Sequence, residues 1–220
     1  MNKYTTTKNM TTRFINLFTV MILALTTASG QTFEGKIVYQ NSYKSKIPNV
    51  TDAQFASMMG TTQEYFIKKG NYKTESNGTF LQWQLYVNAD NKLYAKMANS
   101  PAVLWNDGAV NTDEVLKAEI NRNAAEILGH KCDELIMTCK SGVQKYYFSS
   151  KLKVDPKSFE NHKFGNWSEY ISRSGALPLK ISIDNPQFVL ESVATEIKPM
   201  KLDDALFKLP PDTKLEKSPY

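Results

Sequence analysis

Residues 124–150, A-A-E-I-L-G-H-K-C-D-E-L-I-M-T-C-K-S-G-V-Q-K-Y-Y-F-S-S, have the pattern of a β-hairpin. The part 127–138 is rich in β-forming side chains, and residues 143–148 supply a returning strand. Between them, residues 140–142 form a turn in which Gly142 can take a positive φ at little cost. Segments with strand character precede and follow this hairpin, so we place it in the middle of an antiparallel sheet.

The segment upstream of the hairpin shows the clearest alternation in the chain. Over residues 79–87, Leu81, Trp83 and Leu85 fall on one face of a strand while their neighbours fall on the other. A strong turn signal, Asn77-Gly78, stands in front of this strand. Together with the strand-like segments on either side, this pattern predicts a meander of consecutive strands.

The segment downstream of the hairpin repeats the alternation. Residues 177–183 place Leu179 and Ile181 on the inward face, and residues 188–197 return as the last long strand. Residues 112–123 fit a helix or a strand almost equally well. At the end of the chain, residues 202–211 read as a turn that plugs Leu206 and Phe207 into the core, followed by a flexible tail over residues 214–220.

Two short helices are predicted beside the strands. A capping box formed by Thr51 and Gln54 predicts a helix that carries Met58. An Asp-Pro pair predicts a second helix over residues 156–164, because proline is well placed in the first turn of a helix. The fold class is therefore mainly β with short helices (α+β), in a single domain over residues 31–213.

The first 30 residues have the pattern of a secretory signal peptide. Lys3, Lys8 and Arg13 precede an apolar run over residues 14–25, and small residues follow up to Gly30. An apolar run of this length falls short of the roughly 20 residues that a membrane-spanning helix needs. We expect cleavage after Gly30 and export to the periplasm or the extracellular face of a Gram-negative envelope.

The charge balance gives little reason to expect a nucleic-acid partner. The chain has 27 Lys and Arg against 22 Asp and Glu, and three of the basic residues lie in the predicted signal peptide. The remainder is 24 against 22, a net charge of +2, with no dense basic block. We also expect no transmembrane segment after cleavage, because no second apolar run approaches the required length.

Motifs for catalysis or metal binding are sparse. His130 and Cys132 point to one side of a strand, but no third or fourth group at a useful spacing completes a metal site or a nucleophile pair. The glycines fit turns better than they fit a phosphate-binding loop. We therefore expect no catalytic residue, no metal and no cofactor, and an enzyme is the third-ranked hypothesis.

Cys132 and Cys139 are the two cysteines of the chain, and an oxidising compartment would permit a disulfide between them. Seven residues of continuous strand would separate them by roughly 23 Å at ~3.3 Å per residue, far beyond disulfide reach. A bridge therefore requires the strand to bend or stop before Cys139. Free thiols, buried or partly buried, are the favoured alternative.

Short motifs at residues 127–132 (I-L-G-H-K-C), 177–180 (L-P-L-K) and 202–210, which contain Leu202-Asp203 and Phe207-Lys208-Leu209-Pro210, occur in this order along the chain. Together they resemble exported bacterial proteins that look like the outer-membrane lipoprotein carrier (LolA/LolB-like) superfamily. The resemblance spans about residues 33–211. It implies a curved antiparallel half-barrel, an unclosed β-barrel with helices across its concave face and a cavity for acyl chains.

The favoured function is a non-enzymatic module that binds an apolar ligand, such as a lipid, an acyl chain or a lipoprotein, in the half-barrel cavity. The side chains expected to line this cavity are large and apolar: Met58, Phe66, Trp83, Leu85, Leu179 and Ile181. Many aromatic residues on the strands and a Met-bearing helix as cover favour this reading. The alternative is an envelope protein-protein interaction module with a filled core and no ligand.

Overall fold

Twelve strands form one unclosed sheet in the computed structural model, which describes Met1, residues 32–111 and residues 113–219. The strands are β1 (Gly35–Ser45), β2 (Thr62–Lys68), β3 (Asn71–Ser76), β4 (Leu81–Val87), β5 (Lys92–Met97), β6 (Val103–Asp107), β7 (Val115–Ile127), β8 (His130–Cys139), β9 (Gly142–Lys153), β10 (Ala176–Asp184), β11 (Phe188–Pro199) and β12 (Leu215–Lys217). Their order across the sheet is β12-β6-β5-β4-β3-β2-β1-β11-β10-β9-β8-β7. The signal peptide predicted for residues 1–30 lies outside the described residues, apart from Met1.

The sheet is mixed, because β12 runs parallel to β6 while the other neighbouring strands are antiparallel. Strands β12 and β7 stand at opposite ends of the strand order, which leaves the sheet open. Residues Thr32–Tyr220 cluster into one compact unit. The prediction of a mainly β chain with short helices and an antiparallel arrangement is confirmed at this level.

The predicted hairpin lies near one end of the sheet, and β8 is shared by two hairpins. Leu128 and Gly129 have φ angles of 50° and 74° and turn the chain between β7 and β8, so the strand expected from residue 127 begins only at His130. The sheet extends mainly to the other side because β1 pairs with β11 and brings the N-terminal meander with it. Residues 112–123, which fit a helix or a strand by sequence, are strand from Val115 onward.

The first helix, α1 (Asp52–Met59), begins at the predicted capping box. The hydroxyl of Thr51 accepts a hydrogen bond from the Gln54 amide, and the Gln54 side chain accepts one from the Thr51 amide. Gly60 follows the last residue of the helix. In the part of the chain that the structure describes, no helix combines the length and the hydropathy needed to cross a bilayer.

The second helix, α2 (Trp167–Ser174), lies later in the chain than predicted. Over the predicted range 156–164, the chain forms only a 3-10 turn at Pro156–Phe159 and the start of another at Phe164–Asn166. Gly165, with a φ of 63°, is one cause of the break, because it departs from the helical path. Residues 156–174 nevertheless pack onto the sheet.

Residues 214–220, predicted as a flexible tail, contain β12. This strand pairs in parallel with residues 103–105 of β6, and the Lys217 ammonium lies 5.8 Å from the centroid of the Trp105 ring. Three residues are too few to show a strand pattern in the sequence. The prediction of a flexible tail is therefore corrected for Leu215–Lys217.

The two faces of the sheet carry separate apolar clusters. We call the face covered by residues 156–174 the interior face, and the face covered by residues 202–211 the groove face. Along β4, Tyr86 belongs to the interior face, whereas Leu85 belongs to the groove face. Strands β2 to β5 are thus covered on both sides, which is why both sets of alternating residues in them are rich in large side chains.

Candidate functional site

The side chains predicted to line one cavity lie in three different places. Phe66, Trp83 and Leu85 belong to the groove face. Leu179 and Ile181 belong to the interior face, where Leu179 is fully buried. The sixth residue, Met58, lies on α1 with 40% of its surface exposed. The prediction of a single cavity lined by all six is therefore corrected, because the strands direct them to opposite faces of the sheet.

Aromatic rings fill the space between the interior face and residues 156–174. The rings of Tyr86 and His162 stack with their centroids 3.9 Å apart, and those of Tyr146 and Tyr170 stack at 4.2 Å. Tyr86, Tyr170 and Phe159 are each buried to 1% exposure or less. Side chains therefore occupy the space in which the sequence led us to expect an acyl chain.

His162 is the most unusual member of this aromatic cluster. Its ring is 1% exposed, and its Nε2 lies 2.8 Å from the hydroxyl of Tyr72. Its Nδ1 is buried and has no hydrogen-bond partner within the described residues. Burial lowers the pKa of His162 to about 3, because the charged form would lose its hydration. The imidazole is therefore neutral at physiological pH, and its role is to pack.

On the groove face, polar contacts hold the start of the segment 202–211 against the sheet. The ammonium of Lys68 donates to the backbone oxygen of Leu202 at 2.5 Å and lies 2.7 Å from the carboxylate of Asp204. The hydrogen bond with Asp204 raises the pKa of Lys68. Glu34 completes the attachment, because its carboxylate accepts from the Leu202 amide at 2.7 Å.

Beyond these contacts, the segment and the sheet enclose an open groove of about 550 Å³. Phe207 is buried as predicted, whereas Leu206 is only half-buried and lines the groove. The apolar lining consists of Trp83, Leu85, Ala205, Leu206, Leu209, Pro210 and Pro211. Pockets for small molecules usually fall in the range of about 300–1,000 Å³, so the groove has room for a ligand.

Two lysines stand at this otherwise apolar groove. The ammonium of Lys73 lies 2.7 Å from the Glu75 carboxylate and 6.0 Å from the centroid of the Trp83 ring. Lys208 is exposed and forms no ion pair with any described residue. An anionic group at the groove would therefore meet an exposed cation without an ion pair, on which the Asp204 carboxylate acts only at longer range.

A more polar pocket of about 650 Å³ lies beside the start of β7. Asn166, one of its lining residues, is 2% exposed. The Asn111 side chain donates to the Asn166 oxygen at 2.6 Å, and Asn166 donates to the sulfur of Cys139 at 3.4 Å. The side-chain polar atoms of Asn166 therefore already have partners. Within residues 32–111 and 113–219, no cluster of three His, Cys, Asp or Glu side chains has the geometry to hold a metal ion.

Cys132 and Cys139 are both free and buried, so the disulfide considered from the sequence is not formed. They stand near the two ends of β8, and the strand between them continues without a stop. Burial raises the pKa of both thiols, that of Cys139 to about 11, where Asp113 adds to the effect. Such thiols carry little thiolate at neutral pH and are typical of structural cysteines.

The sequence predicted part of the groove but not its wall. Trp83 and Leu85 were identifiable from the alternation of β4, and Phe207 from the apolar pair in the terminal turn. The contribution of Leu209 and the two prolines depends on how the segment crosses the sheet, for which the sequence has no periodic signal. A Pro-Pro pair after an apolar turn indicates a stiff, extended course, and this is the one local cue.

Comparison with known proteins adds no relative. No protein-family model matches the chain, and a search of the curated proteins gives no match either. What the chain binds must therefore be inferred from its own surfaces.

Proposed function

We propose that this chain is a non-enzymatic binding module that holds the alkyl part of an anionic amphiphile, such as a fatty-acid carboxylate. The proposed site is the groove between β3, β4 and residues 202–211. The observation that carries this proposal is the open apolar volume of about 550 Å³ beside a lysine without an ion pair. A mostly apolar lining with a few polar groups at its border is the usual form of a small-molecule site.

The arrangement of charge supports an amphiphile over a neutral hydrocarbon. Trp83, Leu85 and Leu209 supply apolar contacts along the groove, whereas Lys73 and Lys208 stand at its border. Burial of an alkyl chain contributes roughly 25 cal/mol per Å² of apolar surface removed from water. A carboxylate close to Lys208 would add a charge-assisted hydrogen bond while its other oxygen stays in water.

We further propose export to the periplasm or to the extracellular face of a Gram-negative envelope, and a relationship to the lipoprotein carrier superfamily. On this proposal the sheet has the half-barrel form, with residues 156–174 across its concave side. The ligand would then lie on the opposite face from the one that the resemblance implies, because aromatic side chains fill the interior.

The proposal is tested by displacing a fluorescent fatty acid from the purified protein with palmitate. Leu209→Asp places a carboxylate in the apolar groove, and we expect it to weaken binding by at least about tenfold, because an unpaired charge is costly in an apolar site. The matched control is Leu128→Asp, at an exposed leucine in the turn between β7 and β8. Absence of uptake, or equal uptake by both variants, would contradict the proposal.

A second pair of variants tests whether the groove recognises the carboxylate of the ligand. Lys208→Glu should weaken the binding of palmitate more than that of the corresponding fatty alcohol, whereas Lys201→Glu, at an exposed lysine outside the groove lining, should change neither. Equal losses for the acid and the alcohol would leave an apolar site without the proposed charge recognition.

The filled interior also favours the second candidate function, an envelope protein-protein interaction module without a ligand. In that case the groove would accept an apolar segment of another protein, and palmitate would not displace it. A saturable interaction with such a protein that survives excess palmitate would favour this candidate.

A further inference from the structure

The sheet has two edge strands, the short β12 and the long β7. At one edge, β12 of the chain itself covers β6. At the other edge, β7 is 13 residues long, contains no proline, and within the described residues pairs only with β8. An exposed edge strand presents unpaired N–H and C=O groups to which another strand can add.

Followed in the two directions from Ala118, β7 carries opposite charges at the first position on each side and apolar side chains at the second. Lys117 and Glu119 lie one residue to either side of Ala118, and Leu116 and Ile120 lie two residues to either side. Leu116 is 60% exposed and Ile120 is 37% exposed. Lys117 and Glu119 now form an exposed ion pair with each other at 2.9 Å. In an antiparallel pair centred on Ala118, each Lys117 would instead face Glu119 of a second copy, and each Leu116 would face Ile120.

A further pair of opposite charges, Glu114 and Arg122, lies four residues to either side of Ala118, outside the stretch 117–121 that is in continuous register with β8. Their side chains are 62% and 70% exposed and now form ion pairs with Lys140 and Asp133 of the same chain. Exposed ion pairs of this kind contribute little to stability, so they do not prevent exchange of partners.

Ala118 lies in the part of β7 that pairs regularly with β8. Strand β7 pairs with β8 in continuous register over residues 117–121, between two register shifts. Moving the centre by one residue would set Lys117 against Lys117 or Glu119 against Glu119. Like charges directly opposite each other destabilise strand pairing, so the register centred on Ala118 is favoured.

We propose that β7 is the interface of a symmetric homodimer, in which two copies pair antiparallel about Ala118 and continue the sheet across the two-fold axis. The occupant of this edge is thus a second copy of the chain. This dimer contact does not involve the groove between β3, β4 and residues 202–211.

Charge reversal tests the register. Sedimentation equilibrium of the purified protein should show a monomer-dimer equilibrium, and Lys117→Glu or Glu119→Lys alone should each weaken dimerisation by about tenfold or more, because like charges then face each other twice. An equimolar mixture of the two variants should recover the dimer, since every pair across the axis is again opposite in charge. A wild-type protein that stays monomeric, or variants that dimerise as well alone as mixed, would overturn the proposal.

Cysteine crosslinking tests the position of the axis. In the proposed register, Ala118→Cys places two opposing thiols within reach of a disulfide, and oxidation with diamide should give a covalent dimer. Asn121→Cys is the control, because its two copies would lie about 20 Å apart at ~3.3 Å per residue. Crosslinking of Asn121→Cys but not of Ala118→Cys would exclude this register.

Discussion

The interior face and the groove face of this sheet have the same kind of strand surface but different covers. Residues 156–174 bring Phe159, His162, Trp167 and Tyr170 onto the interior face, where their rings interlock with those of the strands. The segment 202–211 brings fewer large side chains onto the groove face and leaves a groove of about 550 Å³. Whether a covered face is filled by side chains or keeps an open groove is thus decided by the cover.

On the proposed function, this difference also separates residues that stabilise the fold from residues that contact the ligand. A fully buried side chain with ring partners on several sides contributes mainly to the free energy of unfolding. A half-buried side chain at an open groove contributes less to it and is available to a ligand. Substitutions on the interior face should therefore mainly lower the free energy of unfolding, and substitutions on the groove face should mainly weaken ligand binding.

The largest effect is expected from Tyr170→Ala on the interior face. Tyr170 is fully buried, packs at 4.2 Å against the Tyr146 ring, and donates through its hydroxyl to the Ala176 oxygen at 2.9 Å. We expect a loss of roughly 3–5 kcal/mol in the free energy of unfolding, measured by urea denaturation, because large aromatic-to-alanine changes leave a cavity. Trp83→Ala on the groove face should cost clearly less and instead abolish fatty-acid uptake.

A conservative change separates packing from hydrogen bonding at the same position. Tyr170→Phe keeps the ring and removes only the hydroxyl, so its cost should be about 0.5–1.5 kcal/mol, because the Ala176 oxygen keeps the hydrogen bond that it accepts from the Ser174 hydroxyl at 3.2 Å. If Trp83→Ala proved as destabilising as Tyr170→Ala, the distinction between the two faces would fail.

The strands were largely predictable because each shows a local period of two. Over residues 79–87 the alternation predicted which side chains share a face, and the structure confirms that Trp83 and Leu85 do. It could not show that both faces are covered, because Leu85 and Tyr86 look equally suited to a core. Assigning Leu179 to the same cavity as Trp83 failed for this reason: the relation between faces of distant strands is set by tertiary pairing.

The second prediction concerns pH and follows from the burial of His162. The folded protein holds this side chain with a pKa of about 3, whereas an unfolded chain has a histidine pKa of about 6.5. Between these values the unfolded state binds more protons, so stability present above pH 6.5 is lost as the pH falls. We expect this one group to remove about 2 kcal/mol of unfolding free energy between pH 7 and pH 5, at about 1.4 kcal/mol per pH unit.

The measurement is urea denaturation at several pH values, with slopes compared between variants. His162→Gln keeps an acceptor for Tyr72 but cannot titrate, so it should lose most of this slope whatever its absolute stability. His130→Gln, at the start of β8, is the matched control and should keep the slope. An unchanged pH dependence in His162→Gln would show that the imidazole is not buried in its neutral form.

The position of residues 202–211 over the groove face could not be predicted from the sequence. The reason differs from the one that applies to the interior face. Residues 202–211 contain one short 3-10 turn, Asp204–Phe207, and no periodic pattern. Their position depends on Glu34 and Lys68, which are more than 130 residues away in the chain. Single charged residues on strands read as ordinary surface positions, so nothing local in the sequence identifies them as attachment points.

Lys68→Met should have the smallest effect on the free energy of unfolding. Its effect on hydrogen exchange should be the most localised. This change keeps the apolar stem and removes the ammonium that contacts the Leu202 oxygen and the Asp204 carboxylate. Hydrogen exchange should become faster over residues 202–207 with little change at the urea midpoint, and fatty-acid affinity should fall because Leu206 and Leu209 lose a fixed position. Lys36→Met is the matched control, since Lys36 bonds Glu64 at 2.6 Å on the neighbouring strand. If the two variants gave the same exchange pattern, the attachment through Lys68 would not be what holds the groove wall, and the Glu34–Leu202 hydrogen bond together with the burial of Phe207 would be left to hold it.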